Sequence, residues 1–320
     1  MRLELTAGTR RSALALWQTR WVMARLAEAF PGIVVHEQQI VTQGDRIQDR
    51  PLSKIGDKGL FTHELEEALE QGEVDFAVHS LKDLPTSLPP GLCVGSMPAR
   101  VSPEDLLVSP QGLSLAELPP GTRVGTGSLR RRALLLNRRP DLVIEEIRGN
   151  VDTRLRKLAD GEYDAIMLAE AGFRRLERPE KGYVLDTDWY YAPGQGALAI
   201  EVRSDDASLI KGLRSLEPAG LRETVGAERS FLAELEGGCQ IPLGVRSILK
   251  GNELELRGMV ASLDGKRMVE NHLEIRLPPP TEPILREEAA RRLGSTLARM
   301  LVEQGAGVIL DEIRAQFGQL

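Results

Sequence analysis

The sequence predicts an α/β protein in which two α/β lobes enclose a cleft and a smaller C-terminal α+β domain follows. Three observations predict this fold class. The chain has 320 residues, more than one hydrophobic core usually serves. Strand-like and helix-like segments alternate in two successive stretches, as in a parallel sheet covered by helices. After about residue 220 the alternation gives way to a helix and three strand-like runs.

The first stretch begins with a short strand predicted over residues 2–6, and a helix opens within AGTRRSALALWQTR. Either Thr9 or Ser12 is a suitable N-cap for this helix. After a second strand, FTHELEEALEQG reads as a helix that Thr62 would cap and Gly72 would end. The apolar strand VDFAVHS then leads directly into the turn-rich LKDLPTSLPPG.

The second stretch repeats the pattern, with strands in TRVGT, LVIEEI and YDAIMLA and helices in SLRRRALLLNRRP and NVDTRLRKLADG. APGQGALAIEVR follows as a glycine-bent strand. We therefore expect domain 1 over residues 1–98 with 196–216, domain 2 over 99–195 and domain 3 over 217–320. In domain 3 the pattern predicts strands near 241–249, 253–263 and 267–277 and helices near 282–304 and 307–317.

Composition restricts the class of protein. Hydrophobic residues make up 42% and charged residues 28% of the chain, an ordinary balance for a globular protein. No apolar run approaches the ~20 residues that cross a bilayer, and the N-terminal segment lacks the layout of a secretory signal. We expect a cytoplasmic monomer with neither a membrane nor a nucleic acid as partner.

Cysteine and histidine usage argues against a metal site. Cys93 and Cys239 are the two cysteines, too few for a disulfide scaffold or a structural zinc site. The four histidines are scattered without metal-ligand spacing. We therefore expect both thiols to be free and no bound metal.

The charge is unevenly distributed. The formal net charge is −6, yet ten basic and four acidic residues lie between Arg123 and Lys157. Most of the chain's basic residues are arginines, whose planar fork pairs bidentately with carboxylate or phosphate. A compositional bias and solvated helix faces account for part of this excess, but less readily for arginines beside glycines in turns.

The first candidate cluster is HSLKDLP. Asp83 and Lys82 follow a buried strand, where ligands of parallel sheets bind and where neighbouring cations keep a carboxylate ionised. An equally good interpretation makes Asp83 a turn residue before Pro85.

The second cluster is GTGSLRRR. A strand ends in Gly-Thr-Gly-Ser, and the N-terminus of the following helix offers free N–H groups to an anion. Arg130 and Arg131 lie one turn into the helix and would reach different parts of one large anion. Phosphate would suit this site as well as carboxylate, although the glycines do not form a Walker loop.

The third cluster is RGNVDTRLRKL. Arg148 lies at a strand end, Asn150 is an expected N-cap, and Arg154 points back to the same cleft from one turn inside the helix. Arg10, at the end of the first strand, would face them from the other lobe. We assign Arg156 and Lys157 in this segment to the solvated helix surface.

The fourth cluster, LEGGCQIP, places Cys239 after two glycines in a turn. A lone cysteine is more often a small buried hydrophobe than a reactive thiol. The residues alone therefore favour a packing role, as they do for Cys93.

Taken together, these motifs resemble the porphobilinogen deaminases. The matching segments occur in the family's order over about the first three quarters of the chain and include GTRRSALALWQ, VTQGDR, GDKGLFTHELE, HSLKDLPT, GTGSLRRRALL, RGNVDTRL, LAEAGFRRL, APGQGALAIE and AERSFLAELEGGCQIPLG. The resemblance implies two lobes like those of periplasmic binding proteins. It also implies a transferase that joins four porphobilinogen molecules head to tail into hydroxymethylbilane, losing ammonia each time.

The resemblance assigns roles to particular residues. It makes Cys239 the attachment point, through a thioether, of a dipyrromethane cofactor, which reverses the packing interpretation, and it makes Asp83 the catalytic carboxylate. The residues that it implies for cofactor and substrate binding are Arg10, Ser12, Lys54, Lys58, Ser80, Lys82, Thr126, Gly127, Ser128, Arg130, Arg131, Arg148, Arg154, Arg175 and Gln195.

Parts of the sequence also fit two other functions, solute binding and nucleic-acid binding. Two α/β lobes around an anion cleft also describe solute-binding proteins, but a protein that only binds has no use for Asp83 together with Cys239. A nucleic-acid role would suit the basic window from Arg123 to Lys157, but that window lacks interleaved aromatic residues.

Overall fold

The computed structural model describes residues 2–46, 61–185, 188–235 and 241–317. The strands are β1 (Glu4–Arg10), β2 (Val34–Ile40), β3 (Phe76–Ser80), β4 (Leu92–Ser96), β5 (Asp105–Val108), β6 (Arg123–Gly125), β7 (Val143–Glu145), β8 (Ala165–Ala169), β9 (Gly182–Leu185), β10 (Leu198–Arg203), β11 (Leu243–Lys250), β12 (Glu253–Ala261) and β13 (Met268–Arg276). The helices are α1 (Ala13–Ala29), α2 (Gln43–Arg46), α3 (His63–Glu70), α4 (Leu129–Arg138), α5 (Val151–Ala159), α6 (Glu170–Arg175), α7 (Ala207–Arg214), α8 (Leu221–Glu234), α9 (Pro283–Leu301) and α10 (Gly307–Phe317).

Lobe 1 is built on a five-stranded sheet in the order β2-β1-β3-β10-β4. The strands β2, β1 and β3 are parallel, and β10 runs antiparallel between β3 and β4. A core of buried apolar side chains from β1, β3, β10, α1 and α7 fills one side of the sheet. At the edge of the sheet, β4 pairs with β10.

Lobe 2 repeats the arrangement with the order β7-β6-β8-β5-β9. Here β7, β6 and β8 are parallel, and β5 is the antiparallel strand between β8 and β9. Each sheet is therefore mainly parallel, as predicted. The antiparallel strand of each sheet, β10 in lobe 1 and β5 in lobe 2, is the first strand that the chain forms after it crosses from the other lobe.

The third domain packs helices on an antiparallel sheet of β11, β12 and β13. Apolar side chains of α8, α9 and α10 form its core with β11 and β12. The two C-terminal helices lie close to the expected ranges, and Gly305, with φ of 110°, separates them. The α/β class with two lobes and a smaller α+β domain is confirmed, whereas the exact domain boundaries stay a prediction.

Several elements differ from the sequence prediction. The first strand extends to Arg10 because all seven of its residues pair with β2, so Thr9 lies in the strand and the N-cap of α1 is Ser12. Thr62 occupies the N-cap position of α3 without making a side-chain capping bond. The prediction missed β4, β5, β9, α6 and α7.

One buried carboxylate joins all three parts of the molecule. Glu228, in α8 of the third domain, accepts hydrogen bonds from Arg100 Nη1 at 2.7 Å, the Gly194 N–H at 2.8 Å and Ser247 Oγ at 2.5 Å. Arg100 lies where the chain leaves lobe 1, and Gly194 lies where it returns. The two connections between the lobes are thus tied to the third domain at a single point.

No helix within the described part of the chain is both long and apolar enough to span a membrane.

Candidate active site

A pocket opens at the carboxyl ends of the strands of lobe 1. Its lining includes Arg10 from β1, Ser12 at the start of α1, Phe61, and Ser80 with Asp83 from the end of β3. Parallel strands whose carboxyl ends meet at one sheet edge bring these residues together. The Arg10 guanidinium lies over the Phe61 ring, 4.3 Å from its centroid.

Two of the pocket's polar residues are held by neighbouring hydrogen bonds. The Ser12 hydroxyl accepts from the Ala15 N–H at 3.3 Å and so caps α1. Ser80 Oγ accepts from Gln18 Nε2 at 2.8 Å. Gln18 lies on the buried face of α1, and it holds the hydroxyl in the lining of the pocket.

The catalytic candidate lies in a single turn of 3₁₀ helix, Leu81–Asp83. The Asp83 side chain is exposed, while its neighbour Lys82 is partly buried and donates from Nζ to Gln195 Oε1 at 3.3 Å. Burial lowers the pKa of Lys82 to about 8, although the Asp83 carboxylate opposes this shift. The turn thus presents a carboxylate to solvent and an ammonium group toward lobe 2.

The start of α4, where the sequence predicts an anion site, lies in lobe 2 and is capped by Ser128. The Ser128 hydroxyl accepts from the Arg131 N–H at 3.4 Å, and the Ser128 N–H donates to Thr126 Oγ1 at 3.2 Å. Gly127 fits closely here, since a β-carbon on it would lie 3.0 Å from Glu146 Oε1.

The guanidinium groups of Arg130 and Arg131 converge on one carboxylate of the protein itself. Arg130 Nη1 donates to Asp105 Oδ2 at 2.6 Å, and Arg131 Nη2 donates to Asp105 Oδ1 at 2.8 Å. Trp189 Nε1 adds a hydrogen bond at 2.7 Å. Burial alone would favour a neutral Asp105, but the two guanidinium groups outweigh it and hold the pKa of this carboxyl well below its ordinary range.

Gln195 connects this charged centre to lobe 1. Its Nε2 donates to Asp105 Oδ1 at 2.7 Å, and its Oε1 accepts from Lys82. The flanking Gly194 and Gly196 both have positive φ, and a β-carbon on Gly196 would lie 2.5 Å from a backbone oxygen. The glycines therefore permit the tight turn that brings the Gln195 amide between the lobes.

Arg148 and Arg154 bring positive charge to this part of lobe 2, and the Glu146 carboxylate compensates it in part. Arg148 Nη1 is buried without a hydrogen-bond partner among the described residues. Arg154 Nε donates to the Gly149 carbonyl at 2.8 Å. Burial lowers the pKa of Arg154 to about 10, and the neighbouring charges of Arg131 and Arg148 contribute, while Glu146 and Asp83 act in the opposite direction. Asp83 of lobe 1 is therefore close enough to affect the arginines of lobe 2.

Arg175 brings a further cation from α6. Its side chain is buried, donates to the Gly196 carbonyl at 2.8 Å and lies 5.8 Å from the Trp17 ring centroid. Burial lowers its pKa to about 10. Its Nε has no hydrogen-bond partner in the described parts of the chain, so this donor is available to an anion.

Three predicted site residues, Lys54, Lys58 and Cys239, lie outside the described residues. The positions of the other residues fit a ligand rich in carboxylates. Buried guanidinium donors without protein partners are costly unless an anion receives them, and the dipyrromethane cofactor carries several carboxylates. Arg148, Arg154 and Arg175 are the side chains best placed to hold it.

Sequence reasoning missed Asp105, Phe61 and Gln18. For Asp105 a signal existed, because an acidic residue directly before the apolar run LLV is unusual in a buried strand unless cations pair with it. Phe61 and Gln18 gave no such signal, since an aromatic residue before a helix and a polar residue within one are both common.

Comparisons with known proteins show which family and which solved structures this chain is similar to. A family model described as "Porphobilinogen deaminase, dipyromethane cofactor binding domain" matches residues 5–211, and one described as "Porphobilinogen deaminase, C-terminal domain" matches residues 222–303. Among solved structures, the BvgS VFT2 domain of Bordetella pertussis superposes with a TM-score of 0.41 at 14% identity, covering 72% of this chain and 93% of its own.

Curated relatives match over nearly the whole length. Porphobilinogen deaminase of Brevibacillus brevis is 48% identical over 309 residues, 96% of each chain. The enzyme of the same name from Roseiflexus castenholzii is 47% identical over 312 residues, which cover 97% of this chain and 99% of its own. Since both family models are matched in chain order and such relatives align from end to end, the chain belongs to the porphobilinogen deaminase family.

Proposed function

We propose that the chain performs its family's reaction in the cleft between the lobes, with Asp83 as the catalytic carboxylate and Cys239 as the cofactor attachment point. The reaction joins four porphobilinogen molecules into hydroxymethylbilane and is a step in tetrapyrrole synthesis. One observation carries the proposal. An exposed carboxylate of lobe 1 lies close enough to affect a group of lobe 2 arginines that outnumber their nearby carboxylate, Glu146, and one of these arginines, Arg148, has a buried donor without a partner among the described residues.

The arginines bind the acidic side chains of the pyrroles. Each ring carries two carboxylates, so the growing chain is a polyanion for which forked donors are the best partners. Arg148, Arg154 and Arg175 would bind it directly, and Arg10 would do so from lobe 1. Arg130 and Arg131 make the centre positive while their geometry is fixed by Asp105.

Asp83 acts on the reacting ring. When the aminomethyl C–N bond breaks, its electron pair leaves with ammonia and positive charge develops over the pyrrole. A carboxylate that accepts the pyrrole N–H stabilises this charge because it lies where the charge develops. The dipyrromethane cofactor, when bound, supplies the first free pyrrole α-carbon for bond formation. Asp83 then accepts the proton that this carbon loses.

Lys82 and the hydroxyl groups complete the binding site. Lys82 reaches toward lobe 2 at Gln195, where its ammonium group would bind a substrate carboxylate. Ser12, Ser80, Thr126 and Ser128, with the backbone at Gly127, would provide neutral hydrogen bonds. We propose a role in covering the cleft for Lys54 and Lys58.

The first test is an intact mass of the purified chain. We expect a mass excess of two pyrrole units and a colour reaction of the acid-treated protein with Ehrlich's reagent. Both should be absent from Cys239→Ser and present in the control Cys93→Ser, because Cys93 packs beside the core of lobe 1. An unmodified wild-type chain, or a Cys239→Ser chain that keeps the extra mass, would refute the attachment.

The second test concerns Asp83. Asp83→Asn keeps the size of the side chain and removes its charge, so we expect turnover to fall by about 10²-fold or more while the cofactor mass remains. Turnover near the wild-type rate would exclude the proposed role.

We further propose that the enzyme is a cytoplasmic monomer. Cys239 must remain a thiol until the cofactor is attached, which a reducing compartment favours. Size-exclusion chromatography with light scattering would test the monomer, and fractionation of the source cells would test the location.

A further inference from the structure

In the sequence, helix α8 lies between the catalytic turn, Leu81–Asp83, and Cys239. It ends at Glu234, five positions before Cys239 in the sequence. Near its start, Leu221 and Val225 pack against Leu81 and Leu84, which flank the catalytic turn. The helix of the third domain is therefore in direct contact with the turn that carries Asp83.

The most specific contact comes from Arg229. Its Nη2 donates to the Pro85 carbonyl at 2.6 Å, and its Nη1 donates to the Leu84 carbonyl at 3.1 Å and the Leu81 carbonyl at 3.5 Å. These carbonyls lie on both sides of Lys82 and Asp83. One planar guanidinium therefore binds backbone carbonyls on both sides of Lys82 and Asp83.

The hydrogen bonds of Arg229 matter energetically because they satisfy backbone carbonyls in a partly buried place. Burial lowers the pKa of Arg229 to about 10, and its hydrogen bonds go to neutral carbonyls. Removing it would leave carbonyl groups without partners in a partly buried place, which costs more than a typical hydrogen bond contributes. A lysine would supply a single ammonium and could not match the three carbonyls in the same way.

The preceding residue keeps Arg229 from moving. Glu228 is fully buried and receives hydrogen bonds from Arg100 and from the Gly194 N–H. The segment of α8 at Glu228 and Arg229 is therefore fixed to both connections between the lobes. Because Arg229 also binds the carbonyls around the catalytic turn, this segment of α8 connects the turn to both crossings between the lobes.

We propose that Arg229 is a positioning residue that holds the Leu81–Asp83 turn so that the Asp83 carboxylate meets the reacting pyrrole. This inference rests on the proposed role of Asp83. Arg229 touches neither substrate nor cofactor in this scheme. It acts on the rate of the chemical step, because a shift of about 1 Å in a catalytic group can cost 10²-fold in rate.

The test compares Arg229→Met with Arg222→Met. Arg222 lies on the same helix and pairs with Glu217, at 2.9 Å, away from the catalytic turn. We expect Arg229→Met to lower kcat by about 10²-fold, with KM for porphobilinogen changed less than about twofold because the arginines that bind carboxylates remain. Arg222→Met should lower Tm and leave kcat, measured well below that Tm, at the wild-type value.

Rates are expressed per chain that carries the cofactor mass, so incomplete loading does not imitate the effect. Arg229→Lys keeps the charge, and its kcat should lie between those of the wild type and Arg229→Met. If Arg229→Met does not fold, a normal kcat in Arg229→Lys overturns the inference. An unchanged kcat in Arg229→Met, or an equal loss in Arg222→Met, also overturns it.

Asp83→Asn measured in parallel separates the two hypotheses. If Asp83→Asn is inactive and Arg229→Met is normal, only the positioning role fails. If Asp83→Asn is normal, the proposed function of Asp83 fails and the positioning role fails with it.

Discussion

The side chains of the cleft obtain their properties from burial as much as from their neighbours. Asp105 receives two guanidinium groups, an indole N–H and an amide N–H. A carboxylate in this position stays ionised and orients Arg131, which in turn makes the surroundings of Lys82 more positive. Burial, with a smaller contribution from Arg131, lowers the pKa of Lys82, so Lys82 loses its proton more readily than a lysine in water.

This gives a pH prediction for substrate binding. Burial lowers the pKa of Lys82 from 10.5 to about 8, Arg131 and Arg130 add to the effect, and Asp83 and Asp105 oppose it. Protonated Lys82 attracts a substrate carboxylate, so KM for porphobilinogen should rise as the pH increases through about 8. The measurement is KM between pH 7 and pH 9.5.

Lys82→Arg is the matched control, because arginine keeps its charge throughout this range. Its KM should be nearly constant with pH, and any titration of the substrate's own amine would appear in both proteins. A parallel rise of KM in the variant would contradict the assignment to Lys82.

At the scale of elements, helix α3 covers a buried polar cluster on the sheet of lobe 1. Glu66 of α3 lies near Glu201 of β10 and His79 of β3, and all three side chains are buried. His79 Nε2 lies 3.0 Å from Glu201 Oε2. The cluster gives α3 a polar contact with the sheet where an apolar one would be expected.

Glu66 should make stability depend on pH. Burial raises its pKa above 4.5 and Glu201 adds to the rise, while Thr62, His79 and His63 oppose it. A carboxyl with a raised pKa stabilises the fold while it is protonated, and that contribution is lost as the pH increases through the folded pKa. Glu66→Gln, which stays neutral, should therefore raise Tm at pH 7 and lose this advantage below about pH 4.5.

Glu67→Gln is the control, since Glu67 is the next residue of α3 and its side chain is half exposed. Its Tm should follow that of the wild type within experimental error at both pH values. A lower Tm for Glu66→Gln at pH 7 would show that the carboxylate form is the stable one in the fold.

Sequence reasoning predicted what local patterns determine. The N-cap Asn150 is confirmed, because a capping side chain bonds to a backbone group three residues away. The antiparallel strands β5 and β10 were not foreseen as such, because strand direction depends on partners far along the chain. For the same reason, the sequence did not reveal which cations pair with Asp105, nor that Arg229 binds the carbonyls around the catalytic turn.

At the scale of the whole molecule, Glu228 is the point where the three parts meet. Arg100 has no other carboxylate partner among the described residues, and it would be left as a buried cation without Glu228. Glu228→Gln should therefore lower the free energy of unfolding by about 3 kcal/mol or more. Urea denaturation followed by circular dichroism measures this loss.

Glu234→Gln provides the comparison on the same helix. Glu234 faces Arg299 across 3.5 Å at the surface, and exposed pairs of this kind contribute about 1 kcal/mol or less. If both variants lost the same free energy, the central position of Glu228 would have no special importance for stability.

The placement of β10 has a consequence for synthesis on the ribosome. Because β10 lies between β3 and β4, the first lobe cannot complete its sheet until residues 198–203 have left the exit tunnel. The whole of the second lobe is made in the interval. The N-terminal strands of lobe 1 therefore lack their partner β10, and stay accessible to chaperones, until a segment encoded about a hundred codons later has been synthesised. Long-range strand pairing imposes this kind of delay on folding.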